Sequence, residues 1–305
     1  MIKAENVTKK FENFHAVSNL SCEIPKGCIY GLIGANGAGK STFLRLLTGV
    51  YKADAGRVTL DGEEIYENPN AKKRMLYIPD ELYFLPNASM NRMADLYQSI
   101  YSTFERQRFV ELTNIFKLDP KVSTNTFSKG MRRQAATILA LCCKPEYIFF
   151  DETFDGLDPI VRNLVKNLIA EYVVEQETTV IITSHSLREL EDTCDQLALL
   201  YKGGIVFESD VQDLKTSLFK VQIGFSEPYD KEMFTELELL NYSQKGSVAN
   251  FIIRGDRQKT RELLEAKSPV LLDILPLSLE EVFIHEMQTI GYTFESIIGE
   301  ENRDA

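Results

Sequence analysis

Gly34-Ala35-Asn36-Gly37-Ala38-Gly39-Lys40-Ser41-Thr42 carries glycines, a lysine and two hydroxyls at a spacing suited to holding phosphate. Gly34, Gly37 and Gly39 permit positive-φ turns through which backbone N–H groups converge on phosphate oxygens. Lys40 supplies a point charge for the β- and γ-phosphates of a nucleotide, and the Ser41 hydroxyl can ligate Mg2+. Asn36, Gly37, Ala38, Gly39, Lys40, Ser41 and Thr42 are therefore candidate nucleotide contacts. Asp151 closes the apolar run Tyr147-Ile148-Phe149-Phe150, where a carboxylate can hold Mg2+ directly or through water. Glu152, next in the chain, is placed to polarise an attacking water as a general base. His185 ends Thr183-Ser184-His185 after a second apolar run, in position to face a γ-phosphate; His15 and His285 are read as structural. Ser128, with Gly130 nearby and an apolar helix following, reads first as an N-cap. The same helix N-terminus is an anion site, so the two roles are compatible.

The elements that must position these groups are legible around them. Residues 27–33 read as a short buried strand and 42–47 have helical spacing, which aims a helix dipole at the anion. Residues 147–150 and 179–183 suit central parallel strands, and a helix over 159–176 joins them as a βαβ unit. Strands are expected at 2–7, 17–24, 58–63 and 74–79, with a hairpin turn at Asp61-Gly62. From about 87 to 144 the pattern is helical. There Ser102-Thr103-Phe104-Glu105 has capping-box spacing, and Phe109, Leu112, Ile115 and Phe116 follow at helical intervals. A strand pair is expected at 196–201 and 204–208. After about residue 212 the expected order is strand 218–225, helix 230–237, strands 239–244 and 248–254, helix 256–267, strand 270–276 and helix 278–288. That order matches a ferredoxin-like split βαβ unit. Weak periodicity from Thr289 and a charged end predict disorder beyond about 299.

The 305 residues are 44% hydrophobic, enough for two domains with cores of their own. The net charge of −11 argues against a nucleic-acid-binding surface. From Val211 onward ten Lys/Arg stand against seventeen Asp/Glu, so −7 of that charge lies in the last third. A solvated face is the common reason for such a bias; contact with a basic partner is the other. Five cysteines without C-x-x-C spacing read as reduced thiols, with no zinc site or disulfide framework. No secretory h-region opens the chain, and no apolar run approaches the roughly 20 residues needed to span a bilayer.

Taken together, these motifs closely resemble the nucleotide-binding subunits of ABC transporters. The correspondence covers roughly residues 1–210. It comprises the phosphate loop at 34–42, Phe127-Ser128-Lys129-Gly130-Met131 as the signature, 147–152 as the Walker B strand with its glutamate, Asp155-Gly156-Leu157-Asp158-Pro159 as the D-loop, and His185 as the H-loop. The resemblance implies an α/β P-loop ATPase core with a β-subdomain and a helical subdomain (about 87–144). A small α+β C-terminal accessory or dimerisation domain (211–305) would follow. It also implies that ATP and Mg2+ are bound between two such subunits, each ATP meeting one chain's phosphate loop and the other chain's Ser128 and Gly130, with Asp158 nearby. Glu152 and His185 would support hydrolysis, with Ser41 and Asp151 at the metal. Phe11 falls where the family places an adenine-stacking aromatic, with a core phenylalanine as its rival. The family's Q-loop glutamine corresponds to Asp80 or, one residue on, Glu81; Asp80 could approach Mg2+ and the water. Lys129 and Met131 replace the family's glycine and glutamine in the signature.

Ser128-Lys129-Gly130-Met131-Arg132-Arg133-Gln134 and Ser278-Leu279-Glu280-Glu281-Val282-Phe283 resemble segments of bacterial exporter ATPases that act on peptides, antibiotics or lipids. The implied partners are a transmembrane permease and a second copy or paralogous ATPase subunit. The implied place is the cytoplasmic face of a bacterial membrane, held there peripherally. An importer ATPase is the alternative. A soluble ABC protein acting on ribosomes or DNA is a third reading, disfavoured by one phosphate loop, no long coiled coil and the acidic charge.

Overall fold

The computed structural model describes residues 1–289. The expected disorder beyond about 299 lies outside the described residues. Two compact units divide the chain, Met1–Glu208 and the residues from Ser209 on.

The first unit opens with β1 (Ile2–Phe11) and β2 (Phe14–Ile24), paired antiparallel from Ile2↔Ile24 to Phe11↔Phe14. These strands run longer than the expected 2–7 and 17–24. Next come β3 (Ile29–Ile33), α1 (Lys40–Leu47), β4 (Ala55–Leu60), β5 (Glu63–Glu64), α2 (Pro69–Lys73) and β6 (Met75–Ile78). Asp61 and Gly62 both take positive φ, 51° and 89°, as the two-residue turn between β4 and β5 requires. β1, β2, β4 and β5 form one four-stranded sheet, β2-β1-β4-β5.

The helical segment contains α3 (Met90–Ile100), α4 (Arg106–Ile115) and α5 (Lys129–Cys142). The expected capping box at Ser102 does not form. Thr103 donates its hydroxyl to the Cys143 carbonyl, and Glu105 becomes the N-cap residue, its carboxylate 2.5 Å from Lys144. A long-range partner for the Glu105 carboxylate thus outcompetes the local cap. α5 is buried from Arg133 through Cys142.

β7 (Tyr147–Asp151), α6 (Pro159–Gln176), β8 (Thr179–Ser184), α7 (Leu187–Leu190), β9 (Gln196–Tyr201) and β10 (Gly204–Asp210) complete this part. α6 spans the residues expected for it, with Pro159 at its first turn and Asp158 as its cap. The second sheet has the order β10-β9-β3-β8-β7-β6, and β9, β3, β8, β7 and β6 pair parallel. Every residue of β3, β7 and β8 is buried, which is why each reads as an unbroken apolar run with its polar residues at the end. The loops after β3, β8, β7 and β6 therefore leave the sheet along one edge, the edge where open α/β sheets bind ligands.

The second unit carries α8 (Val211–Ser217), β11 (Leu218–Gly224), β12 (Leu239–Lys245), β13 (Val248–Arg254), α9 (Arg257–Glu265), β14 (Leu271–Pro276) and α10 (Leu279–Thr289). Its sheet, β12-β13-β11-β14, is antiparallel throughout, the strand order of a ferredoxin-like unit. The helix expected over 230–237 is a single 3-10 turn, Lys231–Phe234. Phe234 is buried against Phe225, Tyr229, Tyr242 and Phe251, and that anchor ends the turn before a helix can propagate. At α10, Ser278 Oγ accepts from Glu281 N at 3.3 Å and Glu281 Oε2 accepts from Ser278 N at 2.9 Å. Leu279 and Val282 are fully buried on the following face.

Candidate functional site

The loop after β3 is shaped by two glycines. Gly39 takes φ 107°, and a Cβ there would meet the Ala16 carbonyl oxygen at 2.3 Å. Gly37 takes φ 79° and faces open space, with nothing within 4 Å of an added Cβ. Lys40, the first residue of α1, folds back over this loop. Its Nζ donates to the Gly34 and Ala35 carbonyls at 2.7 and 3.2 Å and lies 3.2 Å from Glu152 Oε1. The side chain is 6% exposed. Asn36, Gly37 and Ala38 form the bend, and Ser41 and Thr42 continue the first turn of α1.

β7 delivers Asp151, fully buried, beside that turn. Its Oδ1 accepts hydrogen bonds from Ser41 Oγ at 3.0 Å and Thr183 Oγ1 at 2.8 Å, and its Oδ2 accepts from Tyr77 OH at 3.0 Å. Three hydroxyls from α1, β8 and β6 thus converge on one carboxylate. Burial pushes the Tyr77 phenol well above its ordinary range, and the Asp151 charge adds to this. The phenol therefore donates at any ordinary pH. The donor set is all oxygen, and one buried carboxylate with a hydroxyl is what Mg2+ takes from a protein when phosphates fill its other positions. Ser41 and Asp151 fit that ion.

Glu152 sits one residue past the strand at φ 49°, a left-handed conformation uncommon outside glycine. Thr183 Oγ1 accepts from its backbone N–H at 3.0 Å. The bend turns the Glu152 side chain between two cations or potential cations: Oε1 faces Lys40, and Oε2 lies 3.0 Å from His185 Nδ1. His185, after β8, is half exposed. Lys40, Ser41, Asp151, Glu152 and His185, spread over 146 positions of sequence, are therefore one cluster of contacts.

Asp80 is not bonded into that cluster. It pairs with Arg133, whose side chain is 1% exposed and whose Nη1 donates to the Asp151 main-chain carbonyl at 3.3 Å. Ser128 caps α5, accepting from Met131 N at 3.2 Å. A Cβ on Gly130 would lie 2.8 Å from the Gly156 carbonyl oxygen, so only glycine lets α5 approach the 155–158 loop this closely. Lys129 and Asp155 join the same two segments at 2.6 Å, and that ion pair holds the Asp155 carboxyl below its usual range. Asp158 accepts from Ile160 and Val161 N–H at 3.0 Å. Among the described residues, Ser128, Gly130 and Asp158 share no hydrogen bond with the Lys40 cluster.

Phe11 is 42% exposed, edge-on to Tyr51 at 5.5 Å, with Lys9 Nζ 5.7 Å from its ring centre. It is a surface aromatic and no part of a core. Tyr77, Thr183 and Arg133 have no role in the sequence reading, although Thr183 and Arg133 lie within segments quoted there. The available signal was a tyrosine and a threonine interrupting apolar strands that end at the site.

An ABC transporter family model matches residues 17–155. The chain is 29% identical over 284 residues to the ABC transporter ATP-binding protein YtrB of Bacillus subtilis, covering 93% of this chain and 97% of that one. It is 30% identical over 224 residues to the linearmycin resistance ATP-binding protein LnrL of the same organism, covering 72% of each. Among solved structures, the dimeric post-hydrolysis state of the ATP-binding cassette MJ0796 bound to ADP and Pi shares the fold. Its TM-score is 0.62 at 21% identity, over 69% of this chain and 99% of that one. With a phosphate loop, a Walker B carboxylate and a following glutamate gathered at one sheet edge in the fold of those cassettes, the chain belongs to the ATP-binding subunits of ABC transporters, ATPases that power transport through a transmembrane partner.

Proposed function

We propose that the chain is the motor of an exporter. Two copies, or one copy and a paralogous subunit, close on ATP and drive a peptide, antibiotic or lipid through a separate permease. The observation that carries the reading is the single cluster formed by Lys40, Ser41, Asp151, Glu152 and His185. Around it Asn36 to Thr42 bind the phosphates and Ser41 and Asp151 hold Mg2+, while Phe11, outside the cluster, stacks on adenine. That ion, when bound, neutralises charge building on the transferred phosphoryl group. Glu152 takes the proton from the attacking water, and His185 orients Glu152 and reaches the γ-phosphate. Ser128, Gly130 and Asp158 serve the partner subunit's nucleotide across the interface.

The likeness to a linearmycin resistance protein and the Ser128–Gln134 and Ser278–Phe283 segments support export. A cavity of about 510 Å3, lined by apolar Leu82, Tyr83 and Phe127 and by charged Asp80, Glu81, Lys129, Arg132 and Arg133, is the place we assign to a cytoplasmic helix of the permease. Tyr83 is 75% exposed there. Among the described residues no helix is long and apolar enough to cross a membrane; in this reading the chain meets the membrane through the permease. The C-terminal unit is an accessory or dimerisation domain.

The test is ATP turnover by the purified chain. Glu152→Gln is expected to bind ATP while losing about 100-fold or more in turnover, and unchanged hydrolysis would refute the assignment. For direction, the chain is purified with its permease and reconstituted. Uptake that depends on an added extracellular binding protein would favour import.

A further inference from the structure

Asp80 stands where the resemblance places a glutamine that approaches the metal, yet its bonded partner is Arg133. The two differ sharply in exposure: the Arg133 side chain is 1% exposed and the Asp80 side chain 54%. Arg133 Nη2 donates to Asp80 Oδ1, Nη1 donates to the main-chain carbonyl of Asp151 at 3.3 Å, and Nε is buried without a hydrogen-bond partner among the described residues. A guanidinium so deeply placed is tolerated because a carboxylate faces it; without one it must draw in water or move. The carbonyl it holds belongs to the residue whose carboxylate gathers Ser41, Thr183 and Tyr77, directly before Glu152 at its positive φ. The neighbouring Arg132 grips the same loop further along. Its Nη2 donates to the Leu82 carbonyl at 2.8 Å, and its guanidinium lies 5.4 Å from the Phe84 ring centre. Two consecutive residues of α5 therefore tie the 80–84 loop to the helix that Ser128 caps.

We infer that Asp80 is a positioning residue for ATP hydrolysis: as the counter-ion of buried Arg133 it fixes the Asp151–Glu152 backbone, and it is not a Mg2+ ligand. The inference rests on the ATPase reading above. Restoring the glutamine at position 80 removes the charge that Arg133 needs, so it weakens the enzyme.

The experiment compares wild type with Asp80→Gln, Asp80→Ala, Asp80→Glu and Arg133→Lys in the full chain. Steady-state kcat and KM for ATP are measured with the half-saturating Mg2+ concentration, and binding of a fluorescent ATP analogue is measured in EDTA and in Mg2+. Asp80→Gln and Asp80→Ala are expected to lose about tenfold or more in kcat, as residues that orient a metal-site ligand do. KM and analogue affinity in EDTA should stay within about twofold, and any rise in half-saturating Mg2+, passed on through Asp151, should be of the same size in Arg133→Lys as in Asp80→Gln. Asp80→Glu should recover part of the loss. Arg133→Lys, which keeps the charge but not the planar fork, should behave like Asp80→Gln. A rise of about tenfold in half-saturating Mg2+, or an affinity loss seen in Mg2+ and absent in EDTA, that appears in Asp80→Gln and Asp80→Ala but not in Arg133→Lys would make Asp80 a metal ligand and overturn the inference. Wild-type kcat in Asp80→Gln would overturn it equally. Glu152→Gln is run alongside: if it turns over like wild type, the ATPase reading itself fails, whatever the Asp80 variants do.

Discussion

ATP must take Lys40 away from Glu152 before the loop can serve a phosphate. The pair lies 3.2 Å apart with side chains 6% and 14% exposed. At an effective dielectric constant of about 20, their gross attraction is roughly 5 kcal/mol, most of it offset by the cost of removing both charges from water. A net of about 1 kcal/mol remains as an order of magnitude, about fivefold in affinity. Glu152→Ala removes the competitor, while the Gly34 and Ala35 carbonyls still hold the ammonium. Glu152→Gln keeps a neutral acceptor and should fall between. The assay is titration calorimetry with ATP in EDTA, where neither metal nor turnover intervenes. The dissociation constant should fall about fivefold in Glu152→Ala and less in Glu152→Gln. The same energy is lost from the nucleotide-free chain, whose melting temperature should drop by about 2–4 °C. Unchanged or weaker ATP binding in Glu152→Ala would refute the competition.

Three further outcomes are expected. Tyr77→Phe removes one hydroxyl from the buried Asp151 carboxylate and should raise half-saturating Mg2+ by about tenfold, read from ATPase rates against Mg2+ at fixed ATP. Gly39→Ala forces a Cβ against the Ala16 carbonyl at a φ of 107°; it should cost at least about 2 kcal/mol in urea unfolding and abolish nucleotide binding. For Asp61, burial alone would raise its carboxyl, but hydrogen bonds from the N-terminal ammonium, Arg74 and Lys26 outweigh it and hold the group well below the usual range. A depressed carboxyl contributes stability that is full above its unfolded value and is lost as pH falls through the folded one. Asp61→Asn should therefore cost about 1 kcal/mol at neutral pH, with a cost that shrinks below pH ~4. Chemical denaturation across that range is the measurement.

The parts of the site readable in advance are those where local chemistry and local geometry coincide. Gly37, Gly39 and Lys40 state their loop because no other residue types take those backbone angles and reach phosphate. Asp158 and Pro159 open α6 where a cap and a helix-starting proline demand it. What escaped notice involves partners far apart in the chain. Arg133 and Asp80 are 53 positions apart and Tyr77 and Asp151 are 74 apart; only the pairing of β6, β7 and β8 and the packing of α5 bring them together. The capping box at Ser102 failed for the same reason, since its acid, Glu105, is paired with Lys144 far along the chain. In the C-terminal unit the strand order followed from apolar alternation. The helix at 230–237 did not form, because one aromatic, Phe234, is held by residues up to Phe251.

The pairing of β7 with β8 sets Asp151 opposite Thr183, and the pairing of β3 with β8 sets Ile33 opposite Ser184. Side chains in a strand alternate faces, so a slip of one position would turn Thr183 away from the carboxylate it serves and move His185 off Glu152. The buried residues that lock this alignment, such as Phe149 opposite Ile181, belong to none of the nucleotide motifs' assigned contacts. They nonetheless act as the alignment pins of the enzyme. A volume change among them should surface first as lost chemistry in a chain that still folds, and variation that tunes turnover without touching a motif has its natural home there.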